Sequence, residues 1–230
     1  QKLVYETALE MTQKANANNK KVLIVKGGPG TGKSIVAINL LVEITRGGLV
    51  AQYVSKNAAP RAVYESKLTG TFKKTEISNM FKGSGNFVNA KPNTFTTLII
   101  DESHRLNARS GLYGNIGENQ IKELINAACC TVFFIDEDQR VTLNDIGTLQ
   151  EINKWASKAN AETQEMELSS QFRCNGSDGY LAWLDNTLQI RETANTSLEG
   201  IDYDFKIFSS PNELRETIIE KNKINNKSRM

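Results

Sequence analysis

A glycine-rich loop near the start of the chain sets the strongest limit on its fold. Residues 27–34 read GGPGTGKS and match the phosphate-binding pattern G-x-x-x-x-G-K-[ST]. Glycines allow the positive φ angles that turn successive backbone N–H groups toward a phosphate, and a following helix adds the positive end of its dipole. The pattern therefore predicts a nucleotide site in which Lys33 reaches the β- and γ-phosphates and the Ser34 hydroxyl holds Mg²⁺.

The residues on both sides of the loop favour this interpretation over a chance match to a glycine-rich turn. A short β-branched run at residues 21–25 is typical of a buried parallel strand. Apolar residues at helical spacing follow the loop and stop at Gly47 and Gly48. The predicted nucleotide-binding residues are Gly28, Pro29, Gly30, Thr31, Gly32, Lys33 and Ser34.

Composition restricts the class of protein. The chain has 230 residues, 39% of them hydrophobic, which suits one sizeable globular domain and the beginning of another. The 28 basic residues nearly balance the 26 acidic ones, so net charge does not favour nucleic acid or membrane partners. No apolar run is long enough to span a bilayer. Cys129, Cys130 and Cys174 indicate reduced thiols in a cytoplasmic protein, and their spacing does not support a zinc site.

Strands and helices alternate along the chain. Apolar runs that predict further buried strands lie at residues 49–54, 97–102, 131–136 and 166–168. This alternation predicts an α/β fold, with a parallel sheet covered by helices on both faces. We also expect a helix capped by Asn144 or Asp145, a last strand at 205–208, and a helix that begins at Pro211.

Polar residues follow several of these strands, at the edge of a parallel sheet where ligands bind. Asp101 and Glu102 end one strand, Gln139 follows the next, and Arg173 follows the one after. We therefore expect these four residues to converge on the phosphate-binding loop.

The residue types at this edge suit phosphoryl transfer to water. Asp101 could hold Mg²⁺, and Glu102 could orient and deprotonate the attacking water. Gln139 could contact both the γ-phosphate and the water, and Arg173 could stabilise charge in the transition state. The alternatives are two solvated acids at a strand end, an ordinary surface Gln139, and an Arg173 that forms a surface salt bridge or packs under Trp183. His104 is either a local hydrogen-bonding partner or a link to a neighbouring motif.

Together these residues resemble the first motor domain of superfamily 1 helicases. The loop matches their motif I, DESH at residues 101–104 matches motif II, DEDQ at 136–139 resembles motif III and LSSQFR at 168–173 resembles motif IV. The strings at 101–106, 171–176 and 210–226 are similar to a bacterial family of predicted ATPases labelled DNA/RNA helicase domain proteins. The resemblance implies a RecA-like fold, ATP and Mg²⁺ as cofactors, and single-stranded DNA or RNA as partner.

The resemblance also assigns further residues. Gln1 lies where such proteins place a glutamine that reads adenine. The string SKNAA at 55–59 resembles motif Ia, which touches the nucleic acid strand. The candidates for that contact are Ser55, Lys56, Asn57 and Arg61, with Tyr64 as a surface on which a base could stack.

The same resemblance predicts two domains. Residues 1–190 would form the first RecA-like ATPase domain, and residues 191–230 a linker and the opening strand and helix of a truncated second one. Motifs V and VI are not found in the sequence, so we expect this chain to bind nucleotide but to hydrolyse it poorly and not to unwind by itself.

Two other functions compete with a nucleic-acid motor. One is a regulatory nucleotide switch that acts on a protein partner without nucleic acid. The other is a small-molecule kinase, which ranks last because Glu102 and Gln139 suit activation of water.

Overall fold

A computed structural model describes residues 1–70, 73–111, 114–169, 178–201 and 203–224. The chain divides into two compact units, Gln1–Gly176 and Ser177–Met230. This division falls earlier than the predicted domain boundary at residue 190. The assignment of the last forty or so residues to a second RecA-like domain stays a prediction.

The described part of the first unit contains one parallel sheet. Its strands are β1 (Lys21–Gly27), β2 (Ala51–Val54), β3 (Phe81–Lys82), β4 (Phe95–Ile100), β5 (Ala128–Ile135) and β6 (Glu162–Leu168). They are arranged in the order β3-β2-β4-β5-β1-β6, and every neighbouring pair is parallel. The carboxyl ends of β1, β4 and β5 are therefore neighbours at one edge of the sheet.

Helices connect these strands, and two further helices, α7 and α8, belong to the second unit. Their bounds are α1 (Lys2–Lys14), α2 (Lys33–Arg46), α3 (Ala58–Leu68), α4 (Lys74–Met80), α5 (Gln120–Ala127), α6 (Leu149–Lys158), α7 (Asp178–Thr187) and α8 (Pro211–Ile224). Among the helices of the described ranges, none has the length and apolar character needed to cross a membrane.

The interior strand β1 shows why helices cover both faces. Successive strand side chains point to opposite faces of a sheet. Leu23 and Val25 pack in one cluster with side chains of α1 and α2, whereas Val22 and Ile24 pack in a second cluster with α5 and α6. All four side chains are fully buried. Burial of each contributes about 1.5–3 kcal/mol, and the predicted α/β architecture is confirmed.

Two local predictions were wrong. The predicted cap at Asn144 or Asp145 is replaced by Thr148, whose Oγ1 accepts a 3.1 Å hydrogen bond from the Glu151 amide. The side chain of Asp145 is instead engaged in a cluster of charges that is described below. Residues 205–208 do not form a strand.

The second unit explains the missing strand. Tyr203 stacks on Tyr180 of α7 with ring centroids 3.8 Å apart, and Phe205 packs against Trp183 at 5.1 Å. Within the predicted strand, the Phe205 ring therefore contacts α7 while remaining 43% exposed, and Ile207 is 88% exposed. No strand of the described part of this unit pairs with them.

The loop that precedes α6 lies unusually close to the end of β4. A Cβ atom added to Gly147 would lie 1.9 Å from the backbone oxygen of Ser103 and 2.6 Å from Cα of His104. Both contacts are with backbone, which cannot move aside as the end of a side chain could. Gly147 therefore allows the loop after β5 to pack directly on the residues that follow β4.

We predict that Gly147→Ala lowers the free energy of unfolding by about 1–3 kcal/mol, the usual cost of an overpacked site. Gly47→Ala is the matched control, because its added Cβ would meet nothing closer than 3.4 Å. The measurement is the thermal midpoint of both variants by circular dichroism. Equal stability of the two would show that the loop is not in tight contact with Ser103.

Candidate active site

The glycine-rich loop adopts a backbone that only glycine tolerates well. Gly30 and Gly32 have φ angles of 77° and 87°. A Cβ at Gly32 would also lie 2.0 Å from Nε2 of Gln1. That amide group donates a 2.8 Å hydrogen bond to the backbone oxygen of Thr31. The structure therefore places Gln1 against the loop, where the resemblance expected a nucleotide-reading glutamine.

Lys33, at the start of α2, lies inside the curve of the loop and is 7% exposed. Its ammonium donates hydrogen bonds to the backbone oxygens of Gly27 and Gly28. The nearest described carboxylate paired with it is that of Asp136, with Nζ 3.7 Å from Oδ2. The ammonium is thus held where the chain curls around it, at the carboxyl end of β1.

The two predicted magnesium ligands lie in direct contact. Ser34 Oγ donates a 2.6 Å hydrogen bond to Oδ2 of Asp101. Tyr53, on the neighbouring strand β2, donates a 2.7 Å hydrogen bond to the same oxygen. Burial raises the pKa of the Asp101 carboxyl, while these two hydrogen bonds act in the opposite direction. The hydroxyl and carboxylate oxygens are therefore positioned by the first turn of α2, by β2 and by the end of β4.

This pair of oxygens fits Mg²⁺ bound together with a nucleotide. Mg²⁺ in such sites usually takes only one or two ligands from the protein and completes its shell with water and phosphate oxygens. In the described ranges, no group of three or more histidine, cysteine, aspartate or glutamate residues is arranged to hold a metal alone. Ser34 and Asp101 would hold the ion, and phosphate oxygens of the nucleotide and water would complete its coordination shell.

Glu102 follows Asp101 with an unusual backbone. Its φ and ψ angles are 54° and 44°, in the left-handed region, which costs about 1–3 kcal/mol for residues other than glycine. Its carboxylate Oε2 lies 3.0 Å from Nε2 of His104. The backbone turn directs Glu102 away from the course of β4, toward the glycine-rich loop.

A single cavity brings most of the predicted catalytic residues together. It has a volume of about 490 Å³ and is lined by the loop together with Gln1, Glu102 and Gln139. Tyr64 of α3, predicted as a surface for base stacking on nucleic acid, also lines this cavity. The predicted convergence is therefore seen for Lys33, Glu102 and Gln139. Arg173 lies outside the described residues.

The motif Ia residues are already engaged within the chain. Ser55 is buried, and its hydroxyl donates to the backbone oxygen of Asn57, so its side chain shapes the loop rather than facing solvent. Asn57 is exposed. Arg61 donates through NH1 to the backbone oxygens of Ser55 and Asn57. Lys56 lies within 3.0 Å of Asn107 Oδ1 and 3.2 Å of Asp145 Oδ1.

Asp145 is the centre of a buried charge cluster. Its side chain is 0% exposed and lies between Lys56 and Arg105, with Nε of Arg105 3.2 Å from Oδ2. The Val141 and Thr142 amides donate to Oδ2 at 3.1 and 3.0 Å. Burial on its own raises the pKa of this carboxyl, but the amides and Lys56 lower it to about 2. The cluster ties motif Ia to the loops after β4 and β5.

The family of the chain follows from a match over most of its length. The profile of the Schlafen group 3 DNA/RNA helicase domain matches residues 20–230. The chain belongs to this family. The predicted resemblance is confirmed at this level, and the chain is a helicase-like P-loop ATPase domain. A comparison with curated protein sequences gave no significant match.

Three solved structures with a similar fold are two replication initiation proteins and one helicase. A DNA replication initiation factor is 14% identical with a TM-score of 0.41, and covers 97% of this chain. Pif1 helicase from Candida albicans is 14% identical with a TM-score of 0.47 over 99% of the chain. AMPPCP-bound DnaA from Aquifex aeolicus is 16% identical with a TM-score of 0.39 over 96%. The chain spans 60%, 54% and 61% of their lengths.

Three contacts of the site were not predicted from the sequence. Tyr53 lies in a strand that reads simply as apolar, and its bond to Asp101 depends on β2 and β4 being neighbours. Asp136 reaches Lys33 only because β5 pairs with β1. Asp145 carried a different prediction, that of a helix cap. A polar residue within or just after an apolar run was the available signal for the first two.

We predict that the contribution of Asp145 to the free energy of unfolding is lost at acid pH. Its folded-state pKa of about 2 lies below its ordinary value of 3.8, so the folded state favours the ionised form. The contribution is about 2 kcal/mol above pH 4 and is lost as the pH falls toward 2. In urea titrations, the stability difference between the wild-type protein and Asp145→Asn should shrink across this window.

Asp138→Asn serves as control, because Asp138 is an exposed residue of the preceding turn. It should leave the free energy of unfolding within about 0.5 kcal/mol of the wild-type value. A difference between wild type and Asp145→Asn that stays constant from pH 6 to pH 2 would contradict the ionised cluster.

Proposed function

We propose that this chain is the ATP-binding and ATP-hydrolysing module of a helicase-like motor that acts on DNA or RNA with Mg²⁺. The observation that carries the proposal is the single cavity lined by the glycine-rich loop, Glu102 and Gln139. A phosphate-binding loop alone would suit many nucleotide-binding proteins. A carboxylate and an amide facing the same space suit transfer of the γ-phosphoryl group to water.

The roles of the residues follow from their positions. The loop would bind the phosphates, and Lys33 would exchange its contacts with Gly27 and Gly28 for the β- and γ-phosphates. Ser34 and Asp101 would hold Mg²⁺, which when bound neutralises charge on the phosphate oxygens. Glu102 would accept the proton of the attacking water, and Gln139 would orient that water. Gln1 would contact the adenine.

Hydrolysis is proposed to need more than these groups. Among the described residues that line the cavity, none is an arginine. An arginine that contacts the γ-phosphate can raise the rate of hydrolysis by about 10³–10⁵. Arg173 is the candidate within this chain, and a second RecA-like domain would be the source of another. The chain by itself is therefore proposed to bind nucleotide well and to hydrolyse it slowly.

We predict that Glu102→Gln lowers the rate constant of ATP hydrolysis by about 10²–10⁴, the usual contribution of a general base. ATP affinity should change little, because the amide keeps the size of the side chain and removes only its basicity. Lys33→Ala should instead weaken ATP binding severely. The measurements are phosphate release and titration calorimetry with ATP and Mg²⁺.

Glu167→Gln is the matched control for this experiment. Glu167 is an exposed carboxylate near the end of β6 and does not line the cavity among the described residues. It should leave both rate and affinity unchanged. Undiminished hydrolysis in Glu102→Gln would place the base elsewhere, and retained ATP affinity in Lys33→Ala would contradict the phosphate site.

One observation favours a nucleotide switch that acts on a protein partner instead. Lys56 of motif Ia and Arg61 of the helix that follows it are bound to acceptors of the chain itself. A phosphate of a nucleic acid strand would have to compete with the Asp145 carboxylate for the Lys56 ammonium. The net charge of +2 adds little general attraction for nucleic acid. In this alternative, the cavity would bind the nucleotide and the surface around motif Ia would contact a protein.

Salt dependence separates the two functions. If Lys56 contacts a phosphate, the affinity for a labelled single strand should fall with salt, and Lys56→Gln should reduce the slope of log K against log[salt] by about 0.7. Lys91→Gln is the control, because Lys91 is exposed in the loop before β4, at the opposite end of that strand. Fluorescence anisotropy measures both. A flat response in the wild-type protein would favour the switch.

A further inference from the structure

His104 is the single histidine of the chain and is almost fully buried, with 1% of its surface exposed. It lies in a short 3₁₀ helix at Ser103–Arg105, directly after the two acids that follow β4. Its ring contacts groups from two different strand ends. One is the Glu102 carboxylate, and the other is the backbone of Asp136, the residue that follows β5.

The two contacts determine where the imidazole carries its proton. The Asp136 amide donates a 3.3 Å hydrogen bond to Nδ1, so this nitrogen must be an unprotonated acceptor. The proton of a neutral ring then lies on Nε2, which is 3.0 Å from Oε2 of Glu102. His104 is therefore a neutral donor toward Glu102. A ring protonated at both nitrogens would face the Asp136 amide with a second donor.

This arrangement adds a side-chain contact to a residue in a strained backbone conformation. Glu102 is in the left-handed region, where a residue other than glycine persists only if its surroundings hold it. The backbone of His104 is closely packed, because a Cβ added to Gly147 would lie 2.6 Å from its Cα, and the Asp136 amide holds the ring at Nδ1. A restrained ring that donates to one carboxylate oxygen fixes the direction of the carboxylate toward the cavity.

The contact at Nδ1 connects His104, through Asp136, to Gln139. Asp136 accepts a 3.1 Å hydrogen bond from the Gln139 amide through its backbone oxygen, and residues 137–139 form one 3₁₀ turn. The imidazole thus joins the two strand ends that supply Glu102 and Gln139 to the cavity.

We infer that His104 is a positioning residue for water activation. Its Nε2–H holds the Glu102 carboxylate in place, and its Nδ1 anchors the ring to the strand end that carries Gln139. The inference rests on the proposed function, because it assigns the contact a role in hydrolysis. His104 touches neither the water nor the nucleotide and exchanges no proton with them.

The tautomer can be measured without any hydrolysis. Because the chain has one histidine, protein labelled with ¹⁵N-histidine gives a single pair of ring nitrogen signals. We expect a protonated Nε2 and an unprotonated Nδ1, with a slowly exchanging Nε2 proton shifted downfield by the carboxylate. Glu102→Gln should move that proton upfield, and the control Glu167→Gln should not. Protonated Nδ1, or no effect of Glu102→Gln, would overturn the inference.

Two substitutions then separate positioning from packing. His104→Asn keeps an acceptor near Nδ1 but loses the donor to Glu102, whereas His104→Gln keeps a donor near Nε2 but loses the acceptor. Loss of positioning should lower kcat about tenfold or more in His104→Asn. His104→Gln should retain more of the activity, and KM for ATP should change less than kcat in both.

The outcomes distinguish this inference from the function on which it rests. If His104→Asn is the more active variant, the ring acts only as a packing anchor to Asp136 and the inference is overturned, while the proposed function stands. If the wild-type protein binds ATP but does not hydrolyse it, the proposed function fails and the role in water activation fails with it. A wild-type rate that depends on Glu102, with the expected tautomer and the expected order of variants, supports both.

Discussion

The hydrogen bond between Ser34 and Asp101 is the contact on which the rest of the site depends. It joins the first turn of α2 to the residue that follows β4, 67 positions further along the chain. Tyr53 donates to the same carboxylate oxygen from β2, so the carboxylate is held from two sides before any ion binds. A buried carboxylate without such donors would favour its neutral form. Here burial still raises the pKa of the Asp101 carboxyl, and the hydrogen bonds from Ser34 and Tyr53 oppose that effect while fixing the position of the group.

The loops beyond that edge are held to one another as well as to the sheet. His104 links the loop after β4 to the loop after β5, because its Nδ1 accepts a 3.3 Å hydrogen bond from the Asp136 amide. Gly147 brings the backbone of the second loop onto the first. Asp145 adds charge pairs to Lys56 and Arg105. Residues that face the cavity from separate strands therefore belong to one connected layer, and a shift in one loop is transmitted by contact to the others.

The features of the fold and the site that could be predicted from sequence are those formed by residues that are contiguous in the chain. The glycine-rich loop, the buried runs and the acids after β4 are contiguous in sequence, and parallel topology then forces their ends together. Tyr53 and Asp136 could not be predicted in this way, because their contacts depend on strand order. The strand predicted at 205–208 does not form, and the Phe205 ring packs on Trp183 of α7 instead of on a neighbouring strand. Asp145 failed as a cap because charged partners distant in sequence compete for it more strongly than a helix end.

The engagement of Lys56 does not by itself exclude a contact with nucleic acid. If Lys56 turned toward a phosphate, Asp145 would keep Arg105 at 3.2 Å and the two amides of Val141 and Thr142. The carboxylate would then lose one partner of several, which costs far less than leaving a buried charge alone. Release of Lys56 would, however, loosen one tie between motif Ia and the loop that continues from Gln139. Binding of a strand and the geometry around the γ-phosphate would therefore be coupled through Asp145, which is what a nucleic-acid-dependent ATPase requires.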